Sequence, residues 1–107
     1  MEELTTKYKL NKDVTDDILR DEGFRHGTYR CYLYKSLIQL IVYVDMEDDW
    51  WSYQVCNTDT DTLYVPYYDR THGKNEVVEE IDKKVNKIFG EMAKKKILIK
   101  KRERQKR

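Results

Sequence analysis

The spacing of hydrophobic positions changes along the chain and predicts a short helix, a run of strands and a long helix. The stretch "DVTDDILRDEGF" offers Asp13 or Thr15 as the N-cap, places Val14 and Ile18 on one side, and ends at Gly23. These features are typical of a short helix with acidic residues in its first turn. The preceding "KYKL" predicts a short strand.

Between residues 28 and 68 the period is close to two, which indicates strands. "TYRCYLYK" alternates, "LIQLIVYV" is almost continuously apolar, and "WWSYQVCN" and "TLYVPYY" follow. The apolar run is typical of a central strand that is covered on most of both faces. Pro66 has no amide hydrogen to donate, so it marks a strand end or a sheet edge. The Asp, Asn and Thr clusters at residues 45–49 and 57–61 fall where hairpin turns are required.

A long amphipathic helix is predicted to begin at Asn75. Its apolar residues recur every three or four positions and form one stripe: Val77, Val78, Ile81, Val85, Ile88, Phe89 and Met92. Such a stripe packs across a face of a sheet. The predicted fold is α+β, a single-layer antiparallel β-meander of about four strands with a short N-terminal helix and a long C-terminal amphipathic helix.

Charge divides the chain into two unequal parts. Residues 1–93 carry 12 basic and 19 acidic side chains, whereas residues 94–107, "KKKILIKKRERQKR", carry nine basic and one acidic. We therefore expect a single acidic domain over residues 1–93 and a basic C-terminal tail over residues 94–107. The net charge of +1 conceals this asymmetry.

The basic tail is a candidate polyanion-binding segment. It could anchor on RNA, DNA or an anionic lipid surface. Alternatively it is a solvated extension, or it folds back on the acidic domain until a partner competes. The candidate residues are Lys94, Lys95, Lys96, Lys100, Lys101, Arg102, Arg104, Lys106 and Arg107.

The sequence motifs favour neither a metal site nor catalysis. "NTDTDT" superficially resembles the start of a calcium loop, but Thr62 and Tyr68 occupy the positions where that loop needs Gly and Glu. The histidines and cysteines lack zinc-ligand spacing. There is no glycine-rich phosphate loop and no nucleophile elbow. We therefore expect no metal, no cofactor and no enzymatic activity.

The chain has no apolar run near the ~20 residues that a membrane span needs. Its N-terminal residues, "MEELTTKYKL", lack the basic and apolar regions of a signal peptide. Both cysteines are expected to be reduced thiols. These features predict a cytoplasmic protein without a membrane span.

The aromatic residues favour a binding surface on the sheet. If alternate residues of the central strand, beginning at Ile38, face the long helix, the opposite face presents aromatic side chains. Those side chains are Tyr32, Tyr34, Tyr43, Tyr64 and one of Trp50 and Trp51. Such a face can stack bases or anchor a protein partner. Alternatively, the N-terminal segment and first helix cover it and make it a second layer of core.

Charge favours a protein partner over nucleic acid at this face. Affinity for nucleic acid comes largely from phosphate neutralisation, and these aromatic residues are flanked by Asp45, Glu47, Asp48 and Asp49. The sequence thus predicts a non-enzymatic protein-binding module that acts through these acids, both tryptophans and the sheet tyrosines. One version is an inhibitor or modulator of a host or defence nucleic-acid-handling protein. The alternative is a nucleic-acid-binding accessory protein that uses the basic tail and exposed sheet tyrosines.

Residues 23–92 resemble small uncharacterised proteins of phages and mobile elements in low-GC Gram-positive bacteria. The similarity rests on the glycine-aromatic start "GFRHGTY", the hairpin "DDWWSYQV", the strand "TLYVPYY" and the helix "VVEEI". The resemblance implies no known activity, but it favours a host- or defence-directed binding protein. The predicted topology is also similar to the double-stranded-RNA-binding domain, from which it departs by an extra strand and by the acidic "NEVVEE".

Overall fold

Three antiparallel strands and a long helix form the centre of the fold. The computed structural model describes residues 4–69 and 75–101, except for the side chain of Thr6. The elements are α1 (Leu4–Lys7), β1 (Tyr8–Leu10), α2 (Asp16–Glu22), β2 (Thr28–Tyr34), β3 (Ile38–Asp45), β4 (Trp50–Asn57), α3 (Val65–Tyr68), α4 (Glu76–Lys94) and β5 (Leu98–Lys100). Strands β2, β3 and β4 pair in that order, and β1 pairs with β5 in a separate two-stranded sheet. The predicted α+β class is confirmed.

The helix termini follow local capping chemistry. The Thr15 hydroxyl accepts a hydrogen bond from the amide of Ile18, and Gly23 ends α2 with φ 119°, so Thr15 is the N-cap of the two candidates. The side chain of Asn75 caps α4 by accepting from two amides, as predicted. No helix in the described part of the chain is long and apolar enough to cross a membrane.

The core lies between α4 and one face of the three-stranded sheet. The central strand β3 is buried along nearly its whole length. The predicted stripe of α4 is confirmed, because its five buried residues are Val78, Ile81, Val85, Phe89 and Met92. Four of them, Ile81, Val85, Phe89 and Met92, join one cluster with alternate residues of β3, Ile38, Leu40, Val42 and Val44. Each fully buried side chain of this kind contributes roughly 1.5–3 kcal/mol.

The predicted fourth strand over "TLYVPYY" is wrong. Pairing beyond β4 is limited to an isolated bridge between Cys56 and Leu63, after which the chain turns into the short helix α3. Pro66 lies in the first turn of that helix, where a missing amide hydrogen costs nothing. The amide of Val55 donates instead to the phenol oxygen of Tyr68 at 2.8 Å. A side chain thus replaces the backbone partner that a longer strand would supply.

The fold continues past the predicted boundary between an acidic domain and a basic tail at residues 93 and 94. Lys94 is the last residue of α4, and Leu98 in β5 pairs with Leu10 in β1. Ile97 and Leu98 have no exposed surface. Ile97 and Leu98 of the apolar "ILI" therefore close the core, within the most basic stretch of the chain. Arg102, Arg104, Lys106 and Arg107 lie outside the described residues.

Candidate functional site: the open face of the sheet and its acidic groove

The face of the three-stranded sheet opposite α4 carries a set of polar and aromatic side chains. The register pairs Tyr43 with Thr28 and Ser52, and Asp45 with Trp50. Since side chains alternate between faces, one face collects Thr28, Arg30, Tyr32, Gln39, Ile41, Tyr43, Asp45, Trp50, Ser52, Gln54 and Cys56, hereafter the open face. Tyr32 is 57% exposed and Trp50 is 52% exposed.

The N-terminal segment packs on the other side of the sheet. Trp51 alternates with Trp50 and so points toward α4, and its indole N–H donates to the carbonyl oxygen of Tyr8 in β1 at 3.2 Å. Strand β1 therefore lies on the α4 side. The alternative in which the N-terminal segment covers the aromatic face does not hold for Tyr32 and Trp50.

Trp51 is a core residue, which corrects its place among the predicted binding residues. It is 7% exposed, and its ring centroid lies 5.4 Å from that of Phe89 in α4. The Tyr53 ring stacks against Trp51 at 6.1 Å and also contacts Phe89, at 5.2 Å. Burial and these ring contacts leave Trp50 as the tryptophan that a partner can reach.

Tyr34 and Tyr64 are also displaced from the predicted face. A register shift between Tyr32 and Tyr34 adds a residue to β2, and a bulge of this kind reverses the alternation beyond it. Both tyrosines pack against the core instead. Together with Val77 of α4 they line a separate cavity of about 450 Å³.

The stretch "DMEDD" is a hairpin turn, as predicted. The Asp45 carboxylate accepts hydrogen bonds from the amides of Glu47 and Asp48, each at 3.1 Å. Asp49 takes a left-handed backbone with φ 53°, a conformation that Asp tolerates better than most residues. Residues 4–69 and 75–101 contain no group of three or more His, Cys, Asp or Glu side chains placed to hold a metal ion.

A groove of about 510 Å³ lies where this turn meets α2, hereafter the acidic groove. Its aromatic lining is Trp50 and Tyr43, and its carboxylates are those of Asp16, Asp45 and Glu47. Carboxylates beside an exposed indole suit a cation, because a guanidinium or ammonium group can stack on the ring and pair with the acids. The groove can therefore accept a basic side chain.

Sequence reasoning missed the contribution of α2 and the following turn to this groove. Asp16 and His26 line it together with Gly27. A side chain at Gly27 would place its Cβ 2.7 Å from the carbonyl oxygen of Val44, so only glycine lets this segment approach β3 so closely. The glycine was visible in the sequence, but the meeting of α2 with the hairpin depends on tertiary packing.

The opposite end of the open face has a different electrostatic character. Asp61 folds over it and accepts a hydrogen bond from Gln39 at 2.8 Å, with the guanidinium of Arg30 at 4.0 Å. Arg30 thus offsets the charge of Asp61 beside Tyr32. Asp45 and Glu47, which form no ion pair with any described residue, lie at the Trp50 end, and this makes the acidic groove the stronger candidate site.

The predicted polyanion-binding residues occupy several environments. Lys95 forms an ion pair with Glu22 of α2 at 2.6 Å, and this hydrogen bond raises the pKa of Lys95. Lys95 therefore ties the end of α4 to α2. Lys94, Lys96, Lys100 and Lys101 are exposed.

The pKa values of two phenols, those of the buried Tyr67 and the half-buried Tyr29, lie above their ordinary range. Burial raises the pKa of Tyr67, and its hydrogen bond with the hydroxyl of Tyr53 adds to the shift. Burial also raises the pKa of Tyr29. The thiols of Cys31 and Cys56 shift in the same direction for the same leading reason.

These shifts predict loss of stability in alkaline solution. An acid whose pKa is raised on folding stabilises the protein below its unfolded pKa, and the stabilisation is lost as pH rises through the folded value. We expect the free energy of unfolding to fall above about pH 9 for the thiols and above about pH 10 for the phenols. Tyr67→Phe should make the fall shallower in urea titrations above about pH 10, whereas Tyr32→Phe, at an exposed position, should not. If the unfolding free energy fell equally steeply with pH in the two variants, the prediction would be contradicted.

The comparisons with known proteins support the fold. No protein-family model and no curated protein matches the chain. Its structure is similar to the crystal structure of a DUF1831 family protein from Lactobacillus plantarum, with a TM-score of 0.65 and 15% identity over 88% of this chain and 86% of that one. At this identity the likeness shows the fold alone. The resemblance to phage and mobile-element proteins stays a prediction.

Proposed function

We propose that the protein is a non-enzymatic binding module that captures a basic segment of a protein partner in the acidic groove. The observation that carries the proposal is the exposed indole of Trp50 beside the carboxylates of Asp16, Asp45 and Glu47. Tryptophan is enriched among the residues that dominate binding energy at protein interfaces. Tyr43 extends the aromatic surface along the central strand.

The partner is inferred from charge. An acidic surface attracts basic proteins over long distances and repels nucleic acid. Proteins that handle nucleic acid present basic grooves, and the hairpin acids Asp45, Glu47, Asp48 and Asp49 could occupy such a groove in place of phosphates. We therefore propose a cytoplasmic inhibitor or modulator of a host or defence nucleic-acid-handling protein, consistent with the resemblance to phage and mobile-element proteins.

The test is affinity purification with three tagged baits: the unaltered protein, Trp50→Ala and Leu37→Ala. Leu37 is also exposed and apolar, but it precedes the opposite end of β3 and so serves as a matched control. We expect one stoichiometric protein from nuclease-treated lysate on the unaltered and Leu37→Ala baits. Removing a hot-spot tryptophan costs about 2 kcal/mol or more, so recovery on the Trp50→Ala bait should fall more than tenfold.

Quantitative mass spectrometry of the three eluates reads the result. Equal recovery on all three baits would contradict a role for Trp50, and recovery of only nucleic-acid-bound proteins that vanish with nuclease would contradict a protein partner. The inhibitor version has a further requirement. The captured protein should lose its nucleic-acid activity when the unaltered protein is added, and it should keep that activity with Trp50→Ala.

A further inference from the structure

We propose a second binding surface, in which the lysines of the β1–β5 ribbon contact the phosphate backbone of double-stranded nucleic acid. This surface is separate from the acidic groove. The ribbon packs on the α4 side of the sheet through the Trp51–Tyr8 contact, whereas Trp50 points to the other side. The proposal therefore stands or falls independently of the protein-binding function.

The pairing of β1 with β5 brings lysines together from distant parts of the sequence. Lys9 pairs with Ile99, and the amide of Lys101 donates to the carbonyl oxygen of Lys7 at 2.9 Å. Residues two apart in a strand lie on one face about 6.8 Å from each other. Lys9 and Lys101 therefore share a face, and Lys7, the last residue of α1, lies opposite Lys101 with its ammonium group 5.6 Å from the centre of the Tyr8 ring. All three lysines are exposed.

The opposite face of the ribbon is buried, which fixes the orientation of the lysines. Tyr8, Leu10 and Leu98 belong to the core and are at most 6% exposed. Alternation then directs Lys9 away from the core. Two-strand pairing thus builds a rigid basic face that neither strand forms alone.

More basic residues adjoin this face. The side-chain amide of Asn11 donates to the carbonyl oxygen of Lys96 at 2.7 Å, which brings Lys96 beside Lys12. Lys100 at the end of β5 is also exposed, although it pairs with Tyr8 and therefore lies on the other face of the ribbon.

The chemistry of the face points to phosphates of a duplex. Binding to single strands relies on exposed aromatic rings that stack on bases, and the ribbon's aromatic residue, Tyr8, is buried. Insertion into a lipid surface needs a broad apolar face, whereas the outer face of the ribbon carries the half-buried Ile99 among lysines. Lysines on a rigid face instead suit the sequence-independent neutralisation of a phosphate backbone.

The test measures how duplex affinity depends on salt, using the full chain and short fluorescent DNA and RNA duplexes. The ribbon variant replaces Lys7, Lys9 and Lys101 with glutamine. A control variant replaces Lys83, Lys84 and Lys87 of α4, which removes the same charge from another exposed surface. Because each neutralised phosphate contributes about 0.9 to the slope of log affinity against log salt, the ribbon variant should flatten the slope by roughly 2.7.

The expected result is steep salt dependence for both duplex types, flattened in the ribbon variant and retained in the control. A Lys→Arg version at the same three ribbon positions should also retain it, which separates loss of charge from loss of folding. If the slope of log affinity against log salt flattened equally in the control variant, the salt dependence would follow the net charge of the protein and not the ribbon lysines. That result would overturn the proposal. An unchanged slope in the ribbon variant, tighter binding to single strands, or tighter binding to phosphatidylserine vesicles would overturn it as well.

Discussion

Trp51→Ala is expected to lower the free energy of unfolding by about 3–5 kcal/mol, and Trp50→Ala by less than about 1 kcal/mol. The two residues are adjacent in β4 but lie on opposite faces of the sheet. Trp51 contacts Phe89 and Tyr53 and donates to the carbonyl oxygen of Tyr8, so its removal leaves both a cavity and an unpaired buried acceptor. Trp50 is half-exposed, and its loss uncovers little of the core.

Urea denaturation of both variants, followed by circular dichroism, measures the difference. Trp51→Phe is the informative intermediate, because it keeps an aromatic ring beside Phe89 but lacks the N–H donor. The loss of unfolding free energy in Trp51→Phe should lie between the losses in Trp50→Ala and Trp51→Ala. Similar costs for Trp50→Ala and Trp51→Ala would mean that both side chains are core, and the acidic groove would then lose its anchor.

Periodicity predicted the fold well because local spacing reports burial directly. The apolar stripe of α4 fits a helix, and the continuous apolar run of β3 fits a buried strand. Both elements formed as predicted. The period of two in β4 predicts that Trp50 and Trp51 lie on opposite faces of the sheet. It could not say which tryptophan faces the helix, because that depends on register and on what packs against each face.

The failures have specific physical causes. The bulge in β2 inserts one residue near Tyr34, and nothing in an alternating sequence marks where such an insertion falls. Pro66 predicts a strand end or a sheet edge, whereas it lies in the first turn of the helix α3, because proline suits each of these positions. Both errors moved a predicted site tyrosine, Tyr34 or Tyr64, from the open face to the core.

The candidate site was only partly predictable for a related reason. The hairpin acids and Trp50 are contiguous in sequence, so their clustering was visible. Asp16 and His26 reach the same groove from α2 and its following turn, through contacts that have no sequence signature. Likewise, Lys7 and Lys9 were not recognised as basic neighbours of Lys101, because the β1–β5 pairing joins residues far apart in the chain.

Ile97→Ala and Leu98→Ala are each expected to lower the free energy of unfolding by about 2–5 kcal/mol. Both side chains are fully buried, although they lie within the most basic stretch of the chain. Ile99 is half-buried on the outer face of the ribbon and is the matched control, with an expected cost below about 1.5 kcal/mol for Ile99→Ala. Thermal and urea denaturation of the three variants measures these costs.

The combined Ile97→Ala/Leu98→Ala variant should be largely unfolded. A domain of this size has a stability of about 5–15 kcal/mol, and the two losses together approach the lower part of that range. Shortening the chain after Ala93 removes both residues and all of β5, so we expect the shortened protein to unfold as well. Equal, small costs for all three alanine variants would instead show that residues 97–99 lie outside the core.

This expectation changes how polyanion binding has to be tested. Deleting residues 94–107 would remove a strand of the fold together with the basic charge, so a loss of nucleic-acid binding would not distinguish the two causes. Substitutions at Lys7, Lys9 and Lys101 leave Ile97 and Leu98 in place and remove charge alone. If these substitutions flatten the salt dependence while the unfolding free energy stays unchanged, the lysines bind phosphate and the apolar residues between them hold the ribbon in place.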